Sequence, residues 1–257
     1  MIIRHHRRPQ RLAALAAGAL AAGLVLGQVP SADAAVLSHT HPTHGKHGSG
    51  HHPHPGHPTP GGKLTGTIRG AGHRLGAYAK HVARLQDSVS GSSIDATDLG
   101  LLSTALLADA GRIGADQAAL AAATDRAGVR ELGRDGNVAL RTAIRQASLT
   151  RAVSRARAHA DSLSTQATDL QTGLDSAAAA GQDTSTDQTL MDDATTRLGT
   201  VGPALDQAIG AFFAADFSTG ATLDAAATAL RTALRDVQST LAAAGTDLES
   251  VSTDLAG

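Results

Sequence analysis

Residues 223–255 read LDAAATALRTALRDVQSTLAAAGTDLESVSTDL, and their apolar side chains recur at alternating intervals of four and three. This seven-residue repeat keeps one narrow apolar stripe on a single side of an α-helix, where it can pack against neighbouring helices. A helix of this length extends over about 50 Å at roughly 1.5 Å per residue, so the pattern predicts an elongated bundle. The stripe comprises Leu223, Ala227, Leu230, Leu234, Val237, Leu241, Ala244, Leu248, Val251 and Leu255.

The same kind of repeat occurs earlier in the chain and predicts more helices. The first is predicted from Leu64 to about Ser90. The second is predicted to begin at Asp95, whose carboxylate suits a helix N-terminus, and to end near Thr124. Together with the stretches below, these patterns predict an all-α fold. We expect an elongated antiparallel bundle of about five or six helices in one domain, residues 64–257.

Glycine residues interrupt the pattern after the second helix. Gly128, Gly133 and Gly136 predict a short helix and a turn. The longest helix is then predicted over residues 138–180. Its apolar stripe is out of phase with the apolar residues at its start, which predicts a change of packing partner or a local kink.

The next helix has a clear predicted start. Gly181 closes the longest helix, and Ser185 with Gln188 matches a capping box, in which each side chain bonds an exposed amide of the first turn. Pro203 removes one amide inside this helix and predicts a kink near Gly202. The phenylalanines of the chain cluster at its end and are predicted to close the tip of the bundle: Phe212, Phe213 and Phe217.

Two predicted hairpin joints share a pattern of letters. Residues 87–96 and 216–225 both read D-x-x-[S/T]-G-x-[S/T]-[I/L]-D-A. Duplication of a helical hairpin would produce this similarity, and so would common turn and capping chemistry. The sequence leaves both explanations open.

The first 34 residues are typical of an export signal. Arginines precede an apolar run over residues 12–29, and Ala32 and Ala34 offer the small residues that a signal peptidase recognises. We expect Sec-type export with cleavage after Ala34. The mature protein is then secreted or associated with the cell wall, without a membrane span. The alternative is an uncleaved membrane anchor.

Residues 35–62 contain eight histidines among Pro, Gly, Ser and Thr. We expect a disordered linker, since the segment has few apolar side chains to offset the entropy cost of ordering. Neutral imidazole is a good ligand for Zn²⁺, Ni²⁺ and Cu²⁺. The histidines are therefore candidate metal ligands, and the alternative is a solvated spacer that binds no metal in the cell. They are His39, His41, His44, His47, His51, His52, His54 and His57.

Charge is distributed unevenly along the chain. Residues 63–158 hold 14 Lys and Arg against 8 Asp and Glu, whereas residues 159–257 hold 3 against 14. The basic half carries an arginine stripe that suits phosphate or carboxylate groups of an anionic wall polymer. Alternatively, these arginines pair with acids of a neighbouring helix, such as Asp187, Asp192, Asp193 or Asp206. The stripe comprises Arg141, Arg145, Arg151 and Arg155.

The acidic second half and the scarcity of aromatic residues argue against a nucleic-acid partner. The chain has no cysteine, and it has no nucleophile elbow, metalloprotease motif or nucleotide-binding loop. These features favour a protein that is not an enzyme and requires no cofactor. His73, His81 and His159 lie outside the linker and are expected to be exposed polar residues.

Residues 99–109, LGLLSTALLAD, and the Ala-rich hairpins after them carry a family resemblance. The chain resembles exported actinobacterial Ala-rich all-helical proteins of unassigned function. The resemblance implies a helical architecture over residues 64–257 and no functional residue. We therefore expect a secreted, non-enzymatic interaction or structural protein with an envelope protein or an anionic wall polymer as partner. The alternative function is extracellular sequestration of transition-metal ions by the linker.

Overall fold

The computed structural model describes residues 60–256, with side chains from Leu64 onward. These residues form five α-helices and no strand, which confirms the all-α bundle. The helices are α1 (Pro60–Ser90), α2 (Ala96–Leu120), α3 (Arg126–Ala179), α4 (Ser185–Ala214) and α5 (Gly220–Ala256).

The predicted signal peptide and the predicted cleavage after Ala34 lie outside the described residues. The same holds for the predicted linker up to residue 59. Its last residues, 60–62, were predicted to be disordered but belong to α1, which begins at Pro60 rather than at Leu64. Proline suits the first position of a helix because its φ angle is already helical and the amide that it lacks has no partner there.

Local side-chain chemistry explains several of the helix ends. The carboxylate of Asp95 accepts hydrogen bonds from the amides of Thr97 and Asp98, which confirms its predicted role as the cap of α2. Asp125 caps α3 by accepting from the amide of Gly128. Gly181, with φ of 83°, takes the left-handed conformation that ends α3, as predicted.

The capping box predicted for α4 is wrong. Ser185 is already helical, and its amide donates to the carboxylate of Asp183. The side chain of Gln188 does not turn back to the helix start. It hydrogen-bonds Gln171 of α3 and Asp192 of its own helix instead. A turn closed by Asp183 therefore takes the place of the box.

The turn predicted before Asn137 is also wrong, because α3 is one helix of 54 residues, about 80 Å long. One of its glycines, Gly136, serves close packing. A Cβ atom on Gly136 would overlap Cδ2 of Leu75, so the missing side chain is what lets α1 approach α3 at this level. Glycine weakens a helix by about 1 kcal/mol relative to alanine, a cost that tertiary packing can outweigh.

Two separate apolar cores follow one another along α3. The first is formed by α1, α2 and the start of α3 up to Ala147, and the second by α3 from Leu149 onward with α4 and α5. The change of phase predicted within the long helix is thus a change of packing partner. The stripe of α5 is confirmed, since every member from Leu223 to Val251 is buried.

The tips of the two helical hairpins lie beside the middle of α3. At the α1–α2 tip, the amide of Asp95 donates to Oγ of Ser154 at 3.2 Å. Near the α4–α5 tip, Asp224 pairs with Arg145. Because Ser154 lies further along α3 than Arg145, the two tips pass each other. We call this overlap, residues 138–157 of α3 with the two tips, the waist.

The phenylalanines lie at the waist rather than at a free tip of the bundle. Phe212 is buried, and its ring centroid lies 5.4 Å from that of Phe213 and 5.3 Å from that of Phe217. Phe213 packs against both cores. The cluster therefore joins the two cores.

The shared hairpin letters occupy different positions relative to the helices. Residues 87–90 are still helical in α1, whereas residues 216–219 lie in the loop between α4 and α5. Residues 220–225 already belong to α5, whereas residues 91–95 lie outside the helices. The same letters thus build two different turns, which favours common turn chemistry over duplication.

We predict that Gly136→Ala lowers the free energy of unfolding by about 1 to 3 kcal/mol, because the added methyl group overpacks against Leu75. The matched control is Gly133→Ala in the same helix, where a Cβ atom meets nothing within 4 Å. The control should stabilise the protein by up to about 1 kcal/mol. Urea unfolding followed by circular dichroism measures both. Equal stabilisation by the two substitutions would contradict the close contact.

Candidate functional site

A charged bridge, buried at its Asp98 end and exposed at its Asp206 end, joins three helices at the waist. Arg157 of α3 donates from Nε to Oδ2 of Asp98 on α2 at 3.1 Å, and from Nη2 to Oδ1 of Asp98 at 3.3 Å. The same Nη2 donates to Oδ1 of Asp206 on α4 at 2.6 Å. Asp98 is only 1% exposed, so the planar guanidinium supplies the paired hydrogen bonds that a buried carboxylate needs.

The electrostatics of this bridge favour the charged form of Arg157. Burial alone lowers the pKa of Arg157, but the hydrogen bonds to Asp206 and Asp98 outweigh burial and raise it above its usual value. A cleft of about 410 Å³ opens over the bridge and is lined by Asp95, Leu101 and Ile209 as well. With three carboxylates around one guanidinium, the cleft suits a cationic group better than an anion.

A row of polar side chains is buried on the face of α3 that turns toward α2 and α4. Thr142, Gln146 and Thr150 recur every four residues and are nearly inaccessible to water. Both threonine hydroxyls and Oε1 of Gln146 lack hydrogen-bond partners among the described residues. Arg157 lies two turns beyond Thr150 on the same face, which places this row where the two hairpins meet. Polar atoms left unpaired in this way destabilise the packing around them.

Asp109 of α2 is the acid with the strongest burial effect at the waist. It is 3% exposed, and Nη1 of Arg112 lies 3.9 Å from its Oδ1. Its other oxygen has no partner among the described residues. Burial raises the pKa of Asp109 from 3.8 to about 7, because the weak contact with Arg112 only partly offsets the loss of hydration.

The predicted arginine stripe lies on the other side of the waist. Arg145 pairs with Asp224 of α5 and holds the pKa of that carboxyl low, first by its hydrogen bond and then by its charge. The charges of Arg141 and Arg231 lower the same pKa, so these two residues also lie around Asp224. Arg151 donates from Nη2 to Oγ of Ser88 on α1 at 2.6 Å.

Within residues 64–256, none of the acids predicted to pair with the stripe, Asp187, Asp192, Asp193 and Asp206, forms an ion pair with it. Asp206 receives an arginine, but this is Arg157, which lies outside the stripe. Asp187 is held near Asp254, and burial together with that second carboxylate raises the pKa of Asp187. Asp192 accepts from Gln188 instead of from an arginine. The arginines of the stripe form few ion pairs because α4, which carries these acids, packs on a different face of α3.

Sequence reasoning missed Asp98, Asp109 and Arg157 as members of a site. A signal exists in the sequence, because Asp98 and Asp109 keep the spacing of the apolar stripe formed by Leu102, Leu106 and Ile113. Acids in register with such a stripe indicate buried charge. Asp224 and Arg231 were missed because their contacts with α3 depend on how the hairpin packs.

The candidate metal ligands of the linker, His39 to His57, lie outside the described residues. His73, His81 and His159 are exposed, as predicted. Within residues 64–256, no group of three or more His, Asp or Glu side chains is arranged to hold a metal ion.

Comparisons with protein families, with curated proteins and with solved structures find no match to this chain. The resemblance to exported actinobacterial helical proteins therefore stays a prediction. Between residues 60 and 256, no helix combines the length and the apolar character that crossing a membrane requires.

We predict that Asp109→Asn raises the free energy of unfolding at pH 8 by on the order of 2 kcal/mol, because it removes a buried and poorly paired charge. Between pH 3.8 and about 7 this carboxyl is neutral in the folded protein and ionised in the unfolded chain. The stability of the native protein should therefore fall as the pH rises through this window.

The increase in the free energy of unfolding that Asp109→Asn produces should accordingly be small at pH 4 and complete above pH 7. Thermal unfolding at a series of pH values measures it. The exposed Asp236→Asn serves as the control for the loss of one negative charge. An equal advantage for Asp109→Asn at pH 4 and pH 8 would contradict the raised pKa.

Proposed function

We propose that this chain is an exported, non-enzymatic interaction protein of the cell envelope or extracellular space that binds an anionic polymer at its waist. The observation that carries this proposal is a group of arginines gathered by α3 and α5, which we call the arginine cluster. It comprises Arg141, Arg145, Arg151, Arg155 and Arg231.

The arginine cluster has an excess of positive charge over its surroundings. Among residues 64–256, Arg145 is its only member with an ion pair, and the acid involved is Asp224. Arg155 and Arg231 are exposed. Guanidinium groups in water can exchange their hydration for paired hydrogen bonds with phosphate or carboxylate groups.

The packing of the helices leaves part of this face of α3 open to solvent. Within the described residues, α1 and α5 both pack on α3 but not on each other. Arg141 and Arg155 lie 14 residues apart on α3, which corresponds to about 21 Å along the helix axis. An extended polymer with repeating charges can therefore contact several arginines at once, and this multiplies weak individual contacts.

The remaining charge of the chain favours binding at the waist over binding elsewhere on the bundle. Residues 159–257 hold 14 acids against 3 bases and would repel an anion along most of α4 and α5. This difference in charge between the waist and the acidic part of the chain should align a bound polymer with the middle of α3. Because the attraction is electrostatic, binding should also weaken with salt.

We expect the purified full chain to bind linear polyphosphate, used as a phosphate polymer, or poly-glutamate, used as a carboxylate polymer. The triple substitution Arg141→Gln, Arg151→Gln and Arg231→Gln should raise the Kd at least tenfold. The control with the same change in net charge is Arg69→Gln, Arg74→Gln and Arg126→Gln, all exposed and outside both the arginine cluster and the waist.

Fluorescence anisotropy with labelled polymers at two salt concentrations measures both affinities. The control triple variant should raise the Kd less than threefold. Equal losses of polymer affinity in the two triple variants would show that net charge alone attracts the polymer. That result, or no binding to either polymer at low salt, would overturn the proposed site.

The histidines of residues 39–57 support a second candidate function, extracellular metal sequestration. His39 with His41 and His52 with His54 form H-x-H pairs whose rings can reach one ion.

We expect the full chain to bind Zn²⁺, Ni²⁺ or Cu²⁺, as measured by calorimetry. A variant with all eight linker histidines replaced by Ala should lose this binding. Replacing His73, His81 and His159 should leave it unchanged. Unaltered metal tolerance of cells that produce the linker variant would contradict a physiological role.

A further inference from the structure

The first hairpin, formed by α1 and α2, packs on a surface of α3 that consists largely of small and polar side chains. Of the four buried apolar residues that α3 gives to the first core, three are alanines: Ala139, Ala143 and Ala147. Beside them lies the buried row Thr142, Gln146 and Thr150, which we call the polar row. Alanine buries little apolar area, and the unpaired oxygens of the polar row favour water, so the first hairpin is held weakly on α3.

The two cores are unequal and separable. The first contains twelve buried apolar residues and the second twenty-three, and no buried residue belongs to both. The first hairpin can therefore leave α3 without uncovering most of the second core. The links at the waist that such a movement breaks include the pairing of Arg157 with Asp98 and the packing of Phe213 on the first core.

Asp109 lies in the middle of the interface between α2 and α3. The two helices are antiparallel, since Asp98 near the start of α2 pairs with Arg157 of α3. Further along α2, Asp116 lies beside Gly136, because a Cβ atom on this glycine would be 3.5 Å from Oδ2 of the aspartate. Counting along both helices between these two contacts places Asp109 level with the polar row. The unpaired carboxylate oxygen and the unpaired oxygens of α3 are thus buried at the same level of one interface.

We propose that the first hairpin opens from α3 as a unit when Asp109 is ionised, while the second core stays closed. In the closed form, the structure described above, the carboxylate has one oxygen without a partner among the described residues and only the 3.9 Å contact with Arg112. A buried charge that is paired so weakly is costly, and opening returns it to water. The same movement hydrates the polar row, so opening relieves both costs together.

The charges around Asp109 do not remove this cost. On the elements packed against α2, Arg84 of α1 is exposed, Arg145 of α3 pairs with an acid of α5, and Asp216 of the α4–α5 loop lies near Arg112 and lowers the net positive charge there. Among the described residues, Arg112 is the only one whose charge acts on the pKa of Asp109. Its effect is smaller than that of burial.

Opening should increase as the pH rises. The pKa of Asp109 is about 7 in the closed form, against 3.8 for a hydrated side chain. The closed form therefore holds the proton more tightly, and between these two values each pH unit favours opening by up to about tenfold. Burial and the charge of Asp135 also raise the pKa of Asp116, so a smaller pH dependence of the same sign remains without Asp109. The inference does not rest on the proposed polymer binding, because Asp109 and the polar row lie outside the arginine cluster.

The test is hydrogen exchange of the purified full chain, measured by mass spectrometry on peptides from α2 and α5 at pH 5 and pH 7. Each rate is compared with that of the unfolded chain at the same pH, which gives the protection and cancels the chemical pH dependence of exchange. At pH 7 we expect α2 to be at least tenfold less protected than α5. Between pH 5 and pH 7 the protection of α2 should fall at least tenfold.

Two variants separate ionisation from packing. Asp109→Asn cannot ionise and should lose most of the pH dependence of α2, whereas the exposed Asp236→Asn should behave like the native chain. Thr142→Val replaces an unpaired hydroxyl with a methyl group, so it should raise the protection of α2 at both pH values and leave the ratio between them unchanged.

Three results would overturn the proposal. Equal protection of α2 and α5 at pH 7 would show that only global unfolding exposes the first hairpin. A fall in the protection of α2 as large in Asp109→Asn as in the native chain would exclude this carboxyl as the trigger. Lower protection of α2 in Thr142→Val would show that the polar row holds the hairpin on α3 instead of weakening it.

Discussion

The continuity of α3 is the constraint on which the rest of the structure depends. Each hairpin has one apolar side and can bury it only against a third helix, and both hairpins use the same one. The first packs on α3 up to Ala147 and the second from Leu149 onward. If α3 broke where the glycines stand, the first core would lose part of its third helix. Gly136 therefore combines two requirements: it must remain helical, and it must have no side chain.

The overlap of the hairpin tips explains why polar groups concentrate at the waist. Here α3 is covered on several sides, so side chains that would reach water elsewhere are buried. Arg157 compensates for this loss of hydration through its hydrogen bonds to Asp98 and Asp206. Oδ2 of Asp109, Oε1 of Gln146 and the two threonine hydroxyls have no such partners among residues 64–256. The waist therefore joins the two cores through Phe213 and the bridge, while the unpaired polar groups lower the stability of the same region.

The sequence predicted the fold class, the stripe of α5 and the cap at Asp95, because periodicity and capping are local and repeat over many residues. It missed the continuity of α3, since glycine is read as a helix breaker unless the neighbour that requires its small size is known. The same limit applies to the site. The arginine stripe was visible in the spacing of α3, but its partner Asp224 lies 79 residues away from Arg145 and depends on how the second hairpin packs.

The two sides of the waist favour ligands of opposite charge. At the bridge, three carboxylates surround the single guanidinium of Arg157, so a cationic group is favoured there. On the other side, the arginine cluster has one ion-paired acid among the described residues, Asp224, and binding there falls with salt and depends on the number of charges that the ligand reaches. Because α3 supplies arginines to both sides, the helix that holds the two cores together also separates the two kinds of charge.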